Sequence, residues 1–281
     1  MIRKSKSDNW LLLLSLIMTY ALGVAFVSRA GIIVNWYVSG AGLVLLLFAT
    51  LYPSIQNQLL DFLKSVGKTR RISAMVIFGF IMIGLAGASL FLLFRYHVFK
   101  SIGLLWFMLF LLAVAVANGY QENLKIGYLT WVPEAFSVSP ISFLIAISLQ
   151  GYDLPMHMSF LLLTLWCFYS VAMLGLMFQK EDESPVKLDN TLIRKIGWQK
   201  LIRLHHNLIG AGWLAFLIYL WISGNTRLFQ FNLSISLFHL LQIFLLYRMS
   251  VGLKPNWTLI WLGAYFQYLA FVYMLIFVMI R

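Results

Sequence analysis

About nine apolar stretches of spanning length divide this chain, and its charges fall almost wholly on alternate connections between them. A hydrocarbon core about 30 Å thick asks for roughly 20 apolar residues per helix. Inside it only helices or closed barrels satisfy their own backbone hydrogen bonds. The stretches run over residues 10–27, 32–51, 72–94, 102–117, 129–149, 158–178, 208–223, 233–247 and 259–280. The fourth and eighth are short or polar at one end, so the count holds to within one. An all-α integral membrane protein follows, and the connections are too short for an extramembrane domain. Residues 1–281 therefore read as a single polytopic membrane domain. With 62% hydrophobic and 11% charged residues, the composition lies far from that of a soluble domain.

The net charge of +12 raises the question of nucleic acid, and its distribution answers against it. The N-terminus and the connections after spans two, four, six and eight carry sixteen of the 21 Lys and Arg residues. The other face keeps Arg29, Arg95, Lys100, Arg227 and Arg281. Such a bias sets a multi-pass protein in the cell membrane with a cytoplasmic N-terminus, and attraction to anionic headgroups is secondary. The basic start before the first span invites a signal-peptide reading. The apolar run is long, however, and no clean small-residue cleavage site follows it, so a retained anchor is expected. Cys167 is the single cysteine and lies inside a span, which excludes an intramolecular disulfide.

Two cytoplasmic connections hold the chemistry. The second span continues past Pro53 into a mixed polar and apolar stretch in which Asn57 and Asp61, four residues apart, share a helix face. The sixth span runs into Lys180-Glu181-Asp182-Glu183, and after Pro185 a basic amphipathic segment over 192–203 suits a helix lying in the interface. Polar helix ends facing each other with cations nearby suit an anionic headgroup. Carboxylates hold a diphosphate through Mg²⁺, while Lys and Arg hold it directly. The apolar tail of such a ligand would lie between helices. Glu134 stands apart, several residues inside the fifth span beside Pro133. An ionisable residue at that depth is costly and faces a partner or a cavity. The histidines make no matched pair: His205 and His206 begin the seventh span, His239 lies nearer mid-span, and His157 starts the sixth at the opposite face. That mismatch disfavours bis-histidine haem.

In this order and spacing the motifs resemble those of the UbiA superfamily of intramembrane prenyltransferases. The family's Asn-Asp-x-x-Asp-x-x-x-Asp motif at the end of helix two reads here Asn57-Gln58-x-x-Asp61-x-x-x-Ser65, followed by Lys68-Thr69-Arg70-Arg71. Leu124-Lys125-Ile126-Gly127 then leads into a span with Pro133 and Pro140. The family's Thr-Leu-x-x-Arg-x-Gly after helix six is matched by Thr191-Leu192-Ile193-Arg194-Lys195-Ile196-Gly197. Four motif carboxylates are replaced, by Gln58, Ser65, Lys180 and Ser184, and Glu181, Asp182 and Glu183 fall just out of register.

The resemblance implies a nine-helix bundle that binds a polyprenyl diphosphate and transfers the prenyl group to an unidentified lipid or aromatic acceptor. It implies Asn57 and Asp61 as catalytic, and Mg²⁺ on Asp61, Glu181, Asp182 and Glu183. Arg70, Arg71, Lys125 and Arg194 would hold the diphosphate. The plainer readings stand beside these. Asp61 can solvate a helix end, the acidic run can be a solvated loop, and Arg70 and Arg71 can serve topology. The replaced carboxylates keep open a UbiA-fold protein that binds lipid or a partner without catalysis. A terpene cyclase on the same scaffold is a third reading, and a transporter is opposed by the lack of paired broken helices.

Overall fold

The computed structural model describes the backbone of residues 6–64, 74–96, 101–123, 131–183, 195–253 and 256–280. Side chains are described for these residues except 6–10, 53–64, 74–79, 101–102, 118–123, 179–183, 226, 257–258 and 261–262.

Every element among them is helical. The order is α1 (Lys6–Arg29), α2 (Trp36–Lys64), α3 (Ala74–Arg95), α4 (Ser101–Asn123), α5 (Trp131–Phe136), a π-helical turn (Ser137–Ile141), α6 (Ser142–Leu149), α7 (Met158–Glu183), α8 (Trp198–Ser223), α9 (Thr226–Ser250) and α10 (Trp257–Ile280). Because α5, the π turn and α6 form one broken rod, the described chain makes nine rods. Six stretches are long and apolar enough to cross a membrane: Leu11–Arg29, Trp131–Leu149, Met158–Phe178, Trp198–Ser223, Arg227–Ser250 and Gly263–Ile280. The described apolar parts of the other three rods are shorter, at Trp36–Tyr52, Phe80–Arg95 and Gly103–Ala117. Large apolar side chains such as Phe80, Phe91, Leu105, Met108, Leu237 and Phe244 lie exposed along α3, α4 and α9. So much exposed apolar surface belongs against lipid, not water. The chain is an all-α, multi-pass membrane protein.

The core lies where α1, the broken rod, α7 and α10 meet. Their facing side chains, among them Leu16, Phe143, Phe168 and Phe271, are wholly buried. Without a hydrophobic drive between helices in lipid, close packing rests on small residues, and two glycines carry it here. A Cβ at Gly23 would stand 2.7 Å from the Ala146 Cβ and 2.8 Å from the Phe143 carbonyl, so α1 rides directly on α6. A Cβ at Gly212 would come 2.5 Å from the Phe168 ring, which seats α8 against α7. Around this core α2 packs on α1 and α6, α3 on α2, α4 on the broken rod, and α9 on α8 and α10.

The break has a local cause. Pro140 has no N–H and its ring crowds the preceding turn, so a regular α-helix cannot pass through it. The π turn widens the ladder there, and nearby hydroxyls satisfy the carbonyls it disturbs. Ser137 Oγ donates to the Glu134 carbonyl at 2.9 Å, Ser139 Oγ to Ala135 at 2.8 Å, and Ser142 Oγ to Val138 at 2.6 Å.

We call distal the face opposite the N-terminus. There the rods are tied by polar side chains. Asn35 begins α2, its Oδ1 accepting from the Val38 N–H at 3.2 Å. Gln150 accepts from the Asn35 N–H at 2.9 Å and donates to Ser39 Oγ at 2.9 Å. Tyr20 Oη donates to the Ser39 carbonyl at 2.8 Å. Arg29 Nη1 donates to the Val278 carbonyl at 2.8 Å, where a cation suits the end of α10.

Two spans are longer than hydropathy alone suggests. Residues 198–203, expected within a separate interfacial helix, form the start of α8. The break falls at Gly197, whose φ of 82° ends the preceding segment, and nothing between Arg203 and Leu208 interrupts the helix. Likewise α9 begins at Thr226, not near Leu233, because Asn232 folds its amide back onto the Leu228 carbonyl at 2.9 Å and is wholly buried.

Candidate functional site

Of the residues proposed from the sequence for catalysis, metal, diphosphate or cavity roles, Glu134 is the one whose side chain is described. It lies in α5 and is 8% exposed. Trp131, Glu134, Ala135 and Val138 share the buried face of the rod. Tyr169 of α7 lies within electrostatic reach of the Glu134 carboxyl and of Tyr265 and Tyr268 of α10. The Tyr169 and Tyr268 rings meet edge to face, their centroids 5.1 Å apart. The Tyr268 hydroxyl pairs with Thr19 Oγ1 at 2.6 Å, and Ser139 approaches the same phenol. A carboxylate, three phenols and two hydroxyls from four rods thus gather inside the bundle.

The opposite face of the broken rod is wholly different. Pro133, Phe136, Pro140 and Leu144 recur at helical spacing and form one wall of an apolar groove of about 740 Å³. Trp106, Leu109 and Leu112 of α4 form the second wall, and Leu162, Leu163 and Trp166 of α7 the third. Phe136 stacks on Trp166 at 5.1 Å between centroids. The groove spans α4 from Trp106 to Val116, roughly 15 Å at 1.5 Å per residue. Its walls offer almost nothing polar, so it suits a flexible hydrocarbon chain. Because α4 runs toward the N-terminal face while α5 runs away from it, Val116 meets Val132 near that face. The groove therefore reaches the turn that carries Glu134.

The remaining sequence-derived residues divide into two groups. Asn57 and Asp61 lie on the unbroken helix α2, and Glu181, Asp182 and Glu183 form the last turn of α7; their side chains lie outside the described residues. Arg70, Arg71, Lys125 and Arg194 lie outside the described residues altogether. The backbone still places the first group. At 29 and 26 residues, α2 and α7 are roughly 44 and 39 Å long, more than a hydrocarbon core. Both start at the distal face, where Asn35 and Gln150 are joined, so both ends project from the N-terminal face. Asp61 and the acidic turn share that face, and α2 and α7 do not pack extensively on each other among the described residues. No group of three His, Cys, Asp or Glu side chains that could hold a metal comes together among the described residues. The Mg²⁺ assignment thus rests on side chains outside that set.

The phenol and hydroxyl cluster was missed from sequence, because Tyr in a membrane span reads as lipid belt. The available signal was Thr19, Ser139 and Tyr268 standing as polar positions in otherwise apolar runs. Also missed was a buried set formed by α8, α9 and α10. His205, His239, Gln242 and Gln267 are each at most 1% exposed. His205 lies wholly inside the bundle, deeper than its place near the start of a span suggests.

Comparison of the sequence with family models and with curated proteins finds no match.

Proposed function

We propose that this chain is a UbiA-like membrane prenyltransferase of nine spans with a cytoplasmic N-terminus. It binds a polyprenyl diphosphate with Mg²⁺ and transfers the prenyl group to a lipid or aromatic acceptor. The observation that carries this reading is the pairing on one broken rod of an apolar, chain-sized groove with a buried carboxylate. The groove ends toward the face from which the Asn57–Asp61 helix and the acidic end of α7 project.

The prenyl chain would lie along Phe136, Pro140 and Trp166, out of water. That leaves the diphosphate at the headgroup level, where Arg70, Arg71, Lys125 and Arg194 would hold it. Asp61 and the Glu181–Glu183 run would hold Mg²⁺, which neutralises charge on the departing diphosphate. The prenyl carbon–oxygen bond breaks, pyrophosphate leaves, and the acceptor forms the new bond and gives up a proton.

Geranylgeranyl diphosphate, with and without Mg²⁺, is the probe for detergent-purified protein, followed by product analysis. Metal-dependent binding with pyrophosphate release is the expected result. Asp61→Ala should lower turnover about a hundredfold, and unchanged turnover would refute the mechanism. The replaced carboxylates at Gln58, Ser65, Lys180 and Ser184 support a second reading, a lipid binder that has lost catalysis. Binding without release would establish that reading instead.

A further inference from the structure

A second cavity, of about 440 Å³, opens at the distal face between the ends of α1, α8 and α10 and the start of α9. Its polar lining is Arg29, His157, Tyr219, Ser223, Asn225 and Arg227. Each of these side chains offers a hydrogen-bond donor, counting His157 through a ring N–H, and among the described residues no carboxylate lines the cavity. Phe26 and Met279 add apolar surface.

This composition is unexpected where it lies. A multi-pass chain keeps cations off its non-cytoplasmic face, and of the few left there two arginines from opposite halves of the sequence line one cavity. Helix capping explains part of Arg29, which donates one bond to Val278. It does not explain Arg227, which is exposed and makes no ion pair or hydrogen bond among the described residues. Tyr219 is 3% exposed, yet it lines the cavity with Ser223 beside its hydroxyl and Arg29 within electrostatic reach. The ring of His157 stacks on Tyr219, centroids 6.1 Å apart. Asn225 starts α9 without closing a side-chain cap, so the first N–H groups of that 25-residue helix add positive potential beside the arginines.

We propose that this distal cavity binds a phosphate group. Two guanidiniums and a helix start match its charge, and the phenol, hydroxyl and amide match its remaining oxygens. The phosphate would come from an anionic lipid headgroup of the adjacent leaflet or from free phosphate in solution. This site lies at the opposite end of the bundle from the proposed diphosphate site and does not depend on it.

The test uses the full-length protein. In one arm, detergent-purified protein is titrated with inorganic phosphate and its unfolding temperature followed. In the other, nanodiscs of phosphatidylcholine containing one-tenth phosphatidylglycerol are used, and retained lipid is counted by native mass spectrometry. Arg227→Gln should weaken binding about tenfold, as expected for losing one charge-assisted contact. Arg95→Gln, on α3 away from the cavity, should leave it unchanged. Because Arg227 is exposed, its variant should fold, and His157→Ala provides a second reduction within the same cavity. A response to phosphate in wild type but not in Arg227→Gln supports the site with free phosphate as its source. Selective retention of phosphatidylglycerol alone supports it with a headgroup as its source. No response in either arm, or equal responses in wild type and Arg227→Gln, would overturn the proposal. So would an equal loss in Arg95→Gln.

Discussion

Around Tyr268 the buried polar groups answer one another, whereas around His205 they do not. Thr19 pairs with Tyr268 at 2.6 Å and donates to the Ser15 carbonyl at 2.8 Å, and Ser139 returns its hydroxyl to its own helix at 2.8 Å. In the second set, the two amide atoms of Gln267 close no hydrogen bond among the described residues, and the rings of His205 and His239 close no well-formed one, although Gln242 and the Ile235 backbone stand beside them. Gln242 faces His205 and reaches the Ile260 carbonyl only at a long 3.4 Å. Both sets lie in the same low-dielectric bundle, so their energies should differ in sign. A satisfied network fixes the rods that share it, while an unsatisfied buried polar group costs stability. The first set ties α1, α7, α10 and the broken rod into one arrangement beside Glu134. The second is a stability cost that α8, α9 and α10 carry between them.

The largest break in that comparison comes from Gly23, one helical turn from Thr19 on α1. A leucine there would meet the Phe143 carbonyl and the Ala146 Cβ, neither of which can swing aside. Gly23→Leu should push α1 off α6, separate Thr19 from Tyr268, and cost about 3 kcal/mol. The detergent-solubilised protein should lose most of its resistance to heat, read as unfolding temperature by tryptophan fluorescence. An unchanged midpoint would mean that α1 can move without cost, and the Tyr268 set would then not be a fixed point of the fold.

Gln267→Leu addresses the other set and should act in the opposite direction. Its amide is wholly buried and closes no hydrogen bond among the described residues. Leucine is similar in size and removes both polar atoms, so the variant should be more stable by about 1–2 kcal/mol. A lowered unfolding temperature would show that the amide is satisfied in the membrane and that the two sets are alike.

The fold and the sites were legible in the sequence to different depths, for physical reasons. Spacing of apolar runs found the rods because lipid demands them. It misplaced the starts of α8 and α9, since hydropathy penalises residues such as Asn232, whose amide N–H folds back onto its own helix. The burial of Glu134 was legible because a carboxylate several residues inside an apolar run is costly unless it faces a partner or a cavity. The groove on the same rod was not, since Phe136, Trp106 and Trp166 look identical whether they face lipid, core or ligand. The distal cavity needed the tertiary fold, which brings Arg29 and Arg227 together from distant parts of the chain.

The smallest effect, and the finest test, is Tyr268→Phe. It removes one hydroxyl and leaves the ring packed against Tyr169 at 5.1 Å. Thr19 keeps its bond to the Ser15 carbonyl, so its own hydroxyl is not stranded. Hydrogen bonds between membrane helices contribute about 0.6 kcal/mol on average, and this short, fully buried pair should reach about 1 kcal/mol of destabilisation. Paired with Thr19→Val in a double-mutant cycle, the coupling should account for most of that loss. Coupling near zero would mean that the 2.6 Å contact holds nothing together, leaving packing and the Arg29–Val278 bond to fix α1 against α10.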